Sequence, residues 1–121
     1  MSTLKVNTLE EATSGGATFF TTKAWVNFNG TGTVAIRADG NVSSITDNGA
    51  GFYRTNFSTA LSSASYSLGQ SSGYNTTNVT DVGHLGIAGT PATTSVQVFA
   101  VDTTVNNPAF DYPHITLGVT L

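Results

Sequence analysis

In "GQSSG", Gly69 to Gly73, Ser71 stands at the centre of the glycine spacing that marks a nucleophile elbow, and His84 and His114 are the two residues able to serve as its base. An elbow presents its serine on a sharp turn between a strand and a helix. The residues that follow, "YNTTNVT", do not read as a helix, and no spacing ties either histidine to Ser71 and an acid, so hydrolytic catalysis is disfavoured. "GTG", Gly30 to Gly32, has the look of a phosphate loop. Such a loop works by aiming a helix N-terminus at the anion, and here a strand pattern follows, so these glycines read as a hairpin turn.

Asp39, Asn41, Asp47 and Asn48 could offer oxygen ligands, but no bidentate Glu closes a calcium loop at the required spacing. Turn chemistry accounts for them better, since Asp and Asn bond nearby backbone and tolerate left-handed conformations. No metal or other cofactor is expected. Asparagines 29, 41, 56, 75 and 78 each begin an N-x-Ser/Thr triplet, which follows from a chain rich in all three residues. Among the aromatics, Trp25 lies inside an alternating run and reads as packing. Tyr74 stands in the polar stretch "SSGYNTTN" without apolar neighbours. It is the best candidate for contact with a ligand, with Asn75 and Asn78 beside it as donors and acceptors for sugar hydroxyls.

Positioning those loops is the task of a β framework. Ser, Thr, Asn and Gly together make 56 of the 121 residues, while only 9% are charged. Thr and Val suit a half-buried pleated surface, whereas the Lys and Glu of helix surfaces are scarce. The length fits one domain that buries roughly two thirds of its unfolded surface. A net charge of -3 with four scattered cations excludes a phosphate-binding stripe and argues against a nucleic-acid partner. Without cysteine there are no disulfides or thiolate metal sites. No apolar run approaches the roughly 20 residues of a membrane span, so membrane insertion is not expected. The opening "MSTLKVNTLEEATSGG" lacks the basic start and apolar middle of a signal peptide.

Short alternating runs punctuated by turns predict seven to nine strands in an antiparallel β-sandwich, jelly-roll-like, over 23–121, preceded by an arm and linker over 1–22. The runs are Leu4 to Leu9, Lys23 to Asn29, Thr33 to Arg37, Val42 to Thr46, Phe52 to Phe57, Tyr66 to Gly69, segments around Val79 and from His84 to Ile87, Ser95 to Val101, and "HITLGVTL" at the end. "NGTG", "ADGN" and "TDNGAG" predict tight turns that make a meander of the first four body strands. Residues 70–78 read as a loop. Alternation selects as core Val26, Phe28, Val34, Ile36, Val42, Ile45, Tyr53, Phe57, Leu68, Val96, Val98, Ile115, Leu117 and Val119. In the arm, Leu4, Val6 and Leu9 form an apolar set too small to bury itself, which suits assembly with a neighbouring chain by strand addition.

The stretch "KAWVNFNGTGTVAIRADGNVSSITDNGAGFYRTNFSTAL", residues 23–61, closely resembles a module of tail-fibre-like and other virion structural proteins of bacteriophages, marine phages and cyanophages included. "MSTLKVNTLEEATSGG" resembles the leader that often precedes it. The resemblance implies a non-enzymatic virion component, made in the host cytoplasm, of β-sandwich type and commonly trimeric. Its implied partners are copies of itself, other virion proteins and host surface glycans. Residues 62–121 resemble nothing that can be placed. Two other classes compete: a capsid decoration protein, and a glycan-cleaving or esterase activity, which lacks the carboxylate pair or triad it would need.

Overall fold

The computed structural model describes residues 2–6, 21–73, 83–102 and 109–121. Eight strands run through them: β1 (Thr22–Asn29), β2 (Ala35–Gly40), β3 (Val42–Asp47), β4 (Phe52–Phe57), β5 (Ser67–Gly73), β6 (Gly83–Ile87), β7 (Ser95–Asp102) and β8 (His114–Thr120). They build two four-stranded sheets, ordered β2-β1-β8-β5 and β3-β4-β7-β6, in which every pair is antiparallel. The fold is an all-β antiparallel sandwich, with no helix among the described residues.

Period-2 alternation produces the core. Ala24, Val26 and Phe28 of β1 and Ile115, Leu117 and Val119 of β8 face Tyr53 and Phe57 of β4 and Val96, Val98 and Ala100 of β7, all buried. Of the fourteen residues that alternation selects, Val34, Ile36, Ile45 and Leu68 are only half-buried against this cluster. All four lie in or beside the edge strands β2, β3 and β5, where one lateral neighbour is missing. Tyr112 and Leu61, buried from outside any strand, carry no periodic signal and are added by the tertiary fold.

Several expectations are corrected. The first four body strands are not one meander. β1 and β2 form a hairpin in one sheet and β3 and β4 a hairpin in the other, and "ADGN" is the corner between them. Asn41 makes that corner: at φ 58° it donates from Nδ2 to Lys23 O (3.0 Å) and Thr59 O (3.1 Å), while its Oδ1 accepts Thr59 N–H (2.8 Å). Residues 70–73, expected in a loop, continue β5, because β8 pairs with it without a break from Ser67↔Thr120 to Gly73↔His114. Polar Gln70 and Ser72 at inward positions hid that strand from a hydrophobic pattern. β2 lies two residues later than expected, and β1 starts at Thr22, inside the segment assigned to the linker. The run expected at Leu4 to Leu9 has no strand in its described part, and its remainder, like the segment around Val79, lies outside the described residues.

One inward position is chemically mismatched. Thr55 is 2% exposed and its Oγ1 has no hydrogen-bond partner. The apolar space around it, between Ala24, Val42, Phe57, Val96 and Val119, has no room for a water. Thr55→Val should therefore raise unfolding free energy by about 1 kcal/mol or more, since it removes a desolvated hydroxyl and keeps the shape. Phe28, fully buried and edge-on to Tyr53 at 5.3 Å between centroids, should behave oppositely. Phe28→Ala is expected to cost about 3–5 kcal/mol in urea denaturation.

Candidate functional site

The polar groups of this fold gather in three places: a buried knot at one end, the two outer faces, and the flank between β5 and β6. The knot centres on the Tyr53 hydroxyl, which lies 2.7 Å from Gly30 O and 2.5 Å from Asp111 Oδ1. A phenol has one proton, so it is shared between two acceptors. Asp111 Oδ1 also accepts Gly51 N–H at 2.7 Å, and Gly30 N–H donates to Tyr112 O at 2.9 Å. The knot thus joins β4, the turn after β1, the turn before β4 and the segment entering β8.

Both glycines are required by space. A Cβ at Gly30 would sit 2.6 Å from the Tyr53 hydroxyl and 2.8 Å from Tyr112 O. At Gly51 the backbone is left-handed (φ 73°), and a Cβ would lie 2.6 Å from Ala100 O. Burial, then the hydrogen bond to Asp111 and the charges of Asp111 and Asp47, pushes the Tyr53 phenol well above its usual value. Burial also raises the Tyr66 phenol.

Among the acids and amides considered as oxygen ligands, Asp47 and Asn41 bond backbone at turns, and Asn29 does the same. Asp47 Oδ1 accepts Gly49 N–H (3.0 Å), and Asn29 Oδ1 accepts the Thr31 N–H (3.0 Å) and hydroxyl (2.7 Å). "GQSSG" is strand rather than elbow: Ser71 and His114 stand diagonally on the outer face of one sheet through the pairs Ser71↔Thr116 and Gly73↔His114, whereas His84 belongs to the other sheet.

On each outer face an aromatic ring covers a glycine of an edge strand directly opposite. Trp25, 43% exposed, lies over Gly40 of β2, and Phe99 lies over Gly86 of β6, so that a Cβ at either glycine would collide with the ring. Phe52 stacks on Phe99 (6.1 Å, 26°). Beside this pair Gln97 Oε1 accepts Arg54 (3.0 Å) and Asn48 (3.3 Å). At the β5–β6 flank, Gln70 Nε2 donates to Leu85 O at 2.6 Å, while Gln70 Oε1 and Ser72 Oγ are buried without partners.

Of the residues singled out from sequence, Tyr74, Asn75, Asn78 and Leu9 lie outside the described residues. Leu4 and Val6 are exposed, at 85% and 57%, and belong to no strand. The knot and the flank escaped the sequence reading because their members are 60 residues apart in one case (Gly51 to Asp111) and individually bland in the other. "DYPH" ahead of the last strand was the available signal for the knot: an isolated acid beside an aromatic at a strand entrance. No protein-family model matches the chain, and no curated protein or solved structure matches it either.

Tyr53→Phe should cost about 1–3 kcal/mol in chemical denaturation, because it leaves Gly30 O and Asp111 short of a donor. A phenol raised in the folded state is neutral there while its unfolded counterpart ionises, so its contribution holds below the unfolded value and is lost as pH rises. Stability should accordingly fall above about pH 10, and less steeply in Tyr53→Phe when melting temperature is followed between pH 8 and 11.

Proposed function

We propose that this chain is a non-enzymatic structural protein of a bacteriophage virion, built into a tail fibre or similar appendage. The observation that carries the reading is where the resembling stretch falls. Residues 23–61 contain β1 to β4 almost entirely, which is two strands of each sheet. The other two strands of each sheet come from the part that resembles nothing placed. A sandwich divided in this way suits an appendage protein: a recurrent half supplies the framework, and a second half changes with the surface that is met. The division is stitched by β1–β8 in one sheet and β4–β7 in the other.

The nesting of those two pairings, the inner one enclosed in sequence by the outer, supports a jelly-roll reading, with the β1–β2 and β3–β4 hairpins placing β2 and β3 together on one flank. Assembly as a trimer of identical chains follows the resemblance, and the exposed Leu4 and Val6 support an assembly role for the arm. Contact with host surface glycans is assigned to Tyr74, Asn75 and Asn78.

Mass spectrometry of tails and heads separated from virions tests the placement. Peptides of this chain in the tail fraction are expected. Recovery from heads alone would make it a capsid decoration protein, and recovery from neither would overturn a virion role. Deleting residues 2–16 should convert the oligomer to a folded monomer by light scattering, and an unchanged mass would refute the assembly role of the arm.

A further inference from the structure

The two flanks of the sandwich are unlike. On one, β2 carries Arg37, Asp39 and a register-shifting bulge opposite Asn27 and Phe28, and β3 carries Asp47. Charges and bulges of this kind deter the addition of another strand. On the other flank, β5 (SLGQSSG) and β6 (GHLGI) contain no Lys, Arg, Asp, Glu or Pro.

The free edge of β6 is readable from its hydrogen bonds. Ala100, opposite Leu85, donates its N–H to Gly51 O (2.7 Å) and accepts Phe110 N–H on its carbonyl (3.0 Å), so both its backbone groups point away from β6. Leu85 and Ala100 are then a non-hydrogen-bonded pair, and Leu85 and Ile87 direct their own N–H and C=O to the outside. Gln70 reaches Leu85 O there. No strand lies beyond β6 among the described residues.

The side chains say the same. Leu85 and Ile87 share the inner face with Ala100 and Val98, both fully buried, yet Ile87 is 45% exposed. Its position is that of a core residue, and among the described residues no strand flanks β6 on its far side. In "STLKV", Leu4 and Val6 are spaced as Leu85 and Ile87 are, and as a strand they would share one face with Thr3 and Lys5 on the other. Both are exposed, at 85% and 57%.

We infer that residues 2–6 of a second copy of this chain add as a strand to the β6 edge, placing Leu4 and Val6 beside Leu85 and Ile87. The inference rests on the assembly role proposed for the arm. Within one chain Leu4, Val6 and Ile87 stay exposed, while Leu85 is half-buried and its carbonyl accepts Gln70, a bond the added strand would share or displace. The edge therefore takes its strand from another chain. Because arm and edge are different surfaces, each copy gives one and receives one, and the exchange closes in a cyclic assembly, whether a reciprocal pair or the trimer proposed above.

The absence of cysteine allows a clean test. Chains carrying Leu4→Cys or Val6→Cys are mixed with differently tagged chains carrying Leu85→Cys or Ile87→Cys, and oxidised. A disulfide-linked pair of one chain of each tag is expected for at least one combination. No such pair is expected with Ala38→Cys on β2 as the receiving position. Circular dichroism of each variant establishes that it is folded. A crosslink only within a single chain that carries both cysteines would overturn the second copy as donor, and no crosslink, or one to Ala38→Cys alone, would overturn β6 as acceptor. Light scattering separates the levels: a monomeric full-length chain overturns the assembly role itself, whereas an oligomer without the crosslink overturns only this edge.

Discussion

A buried phenol ties the two sheets together at one end of the sandwich. Tyr53 is rooted in β4 of one sheet, and its hydroxyl proton is shared by Gly30, at the end of β1 in the other sheet, and Asp111, in the segment leading into β8. Apolar packing alone is nearly indifferent to small sliding of one sheet over another. A directional bond from the centre of one sheet to the end of the other is not, and an unmade bond at a fully buried hydroxyl is costly. Register between the sheets is therefore held at this point, with Gln70 bonded to Leu85 O at the far flank and Asn41 at the corner as further ties. It explains the tight surroundings: Gly30 and Gly51 leave no space for a side chain, and Asp111 Oδ1 serves both Tyr53 and the Gly51 N–H.

With register set, the rest is alternation, and that part was legible. Val26 and Phe28, Val96 and Val98, and Ile115, Leu117 and Val119 are assigned inward by period alone, because a central strand flanked on both sides translates inward pointing into full burial. The same rule weakens at edges. Val34, Ile36, Ile45 and Leu68 point inward and stay half-buried, since burial there depends on a neighbour that only the topology reveals. It fails where an inward position is polar: Gln70 and Ser72 broke the pattern of β5 and made a strand look like a loop. Tertiary hydrogen bonds were invisible for a simpler reason. Nothing local distinguishes Asn41, which turns the chain from one sheet to the other through contacts with Lys23 and Thr59, from the asparagine of a plain hairpin. Leu4 and Val6, read from sequence as too small a set to bury themselves, are exposed, whereas the unlike flanks of the sandwich had no sequence signal.

The outer faces follow a second rule. Among the described residues two rings, Trp25 and Phe99, lie over glycines, and in both cases the glycine belongs to an edge strand, Gly40 in β2 and Gly86 in β6. Glycine weakens a strand through its backbone freedom, most of all at an edge with pairing on one side only. A ring laid across from the neighbouring strand covers that backbone and restricts it. The partial exposure of Trp25 is thus what remains visible of a side chain whose other face is in use.

This rule shows that edges are managed individually, and it sharpens the contrast between the flanks. β2 has a ring over Gly40, the Arg37 and Asp39 charges and a bulge. β6 has the ring over Gly86 but neither charge nor bulge, and beside it β5 has none of the three. A neutral, regular edge with an inward isoleucine left 45% exposed is a hazard in a chain made to stay alone, because any extended segment can pair with it. The hazard disappears if the edge is filled whenever the chain is assembled. On the exchange proposed above, a chain that protects one flank by charge and leaves the other apolar and regular, while carrying Leu4 and Val6 at matching spacing, would be self-complementary between copies. Under that proposal the cost of the open edge would be met by assembly rather than by sequence within the fold.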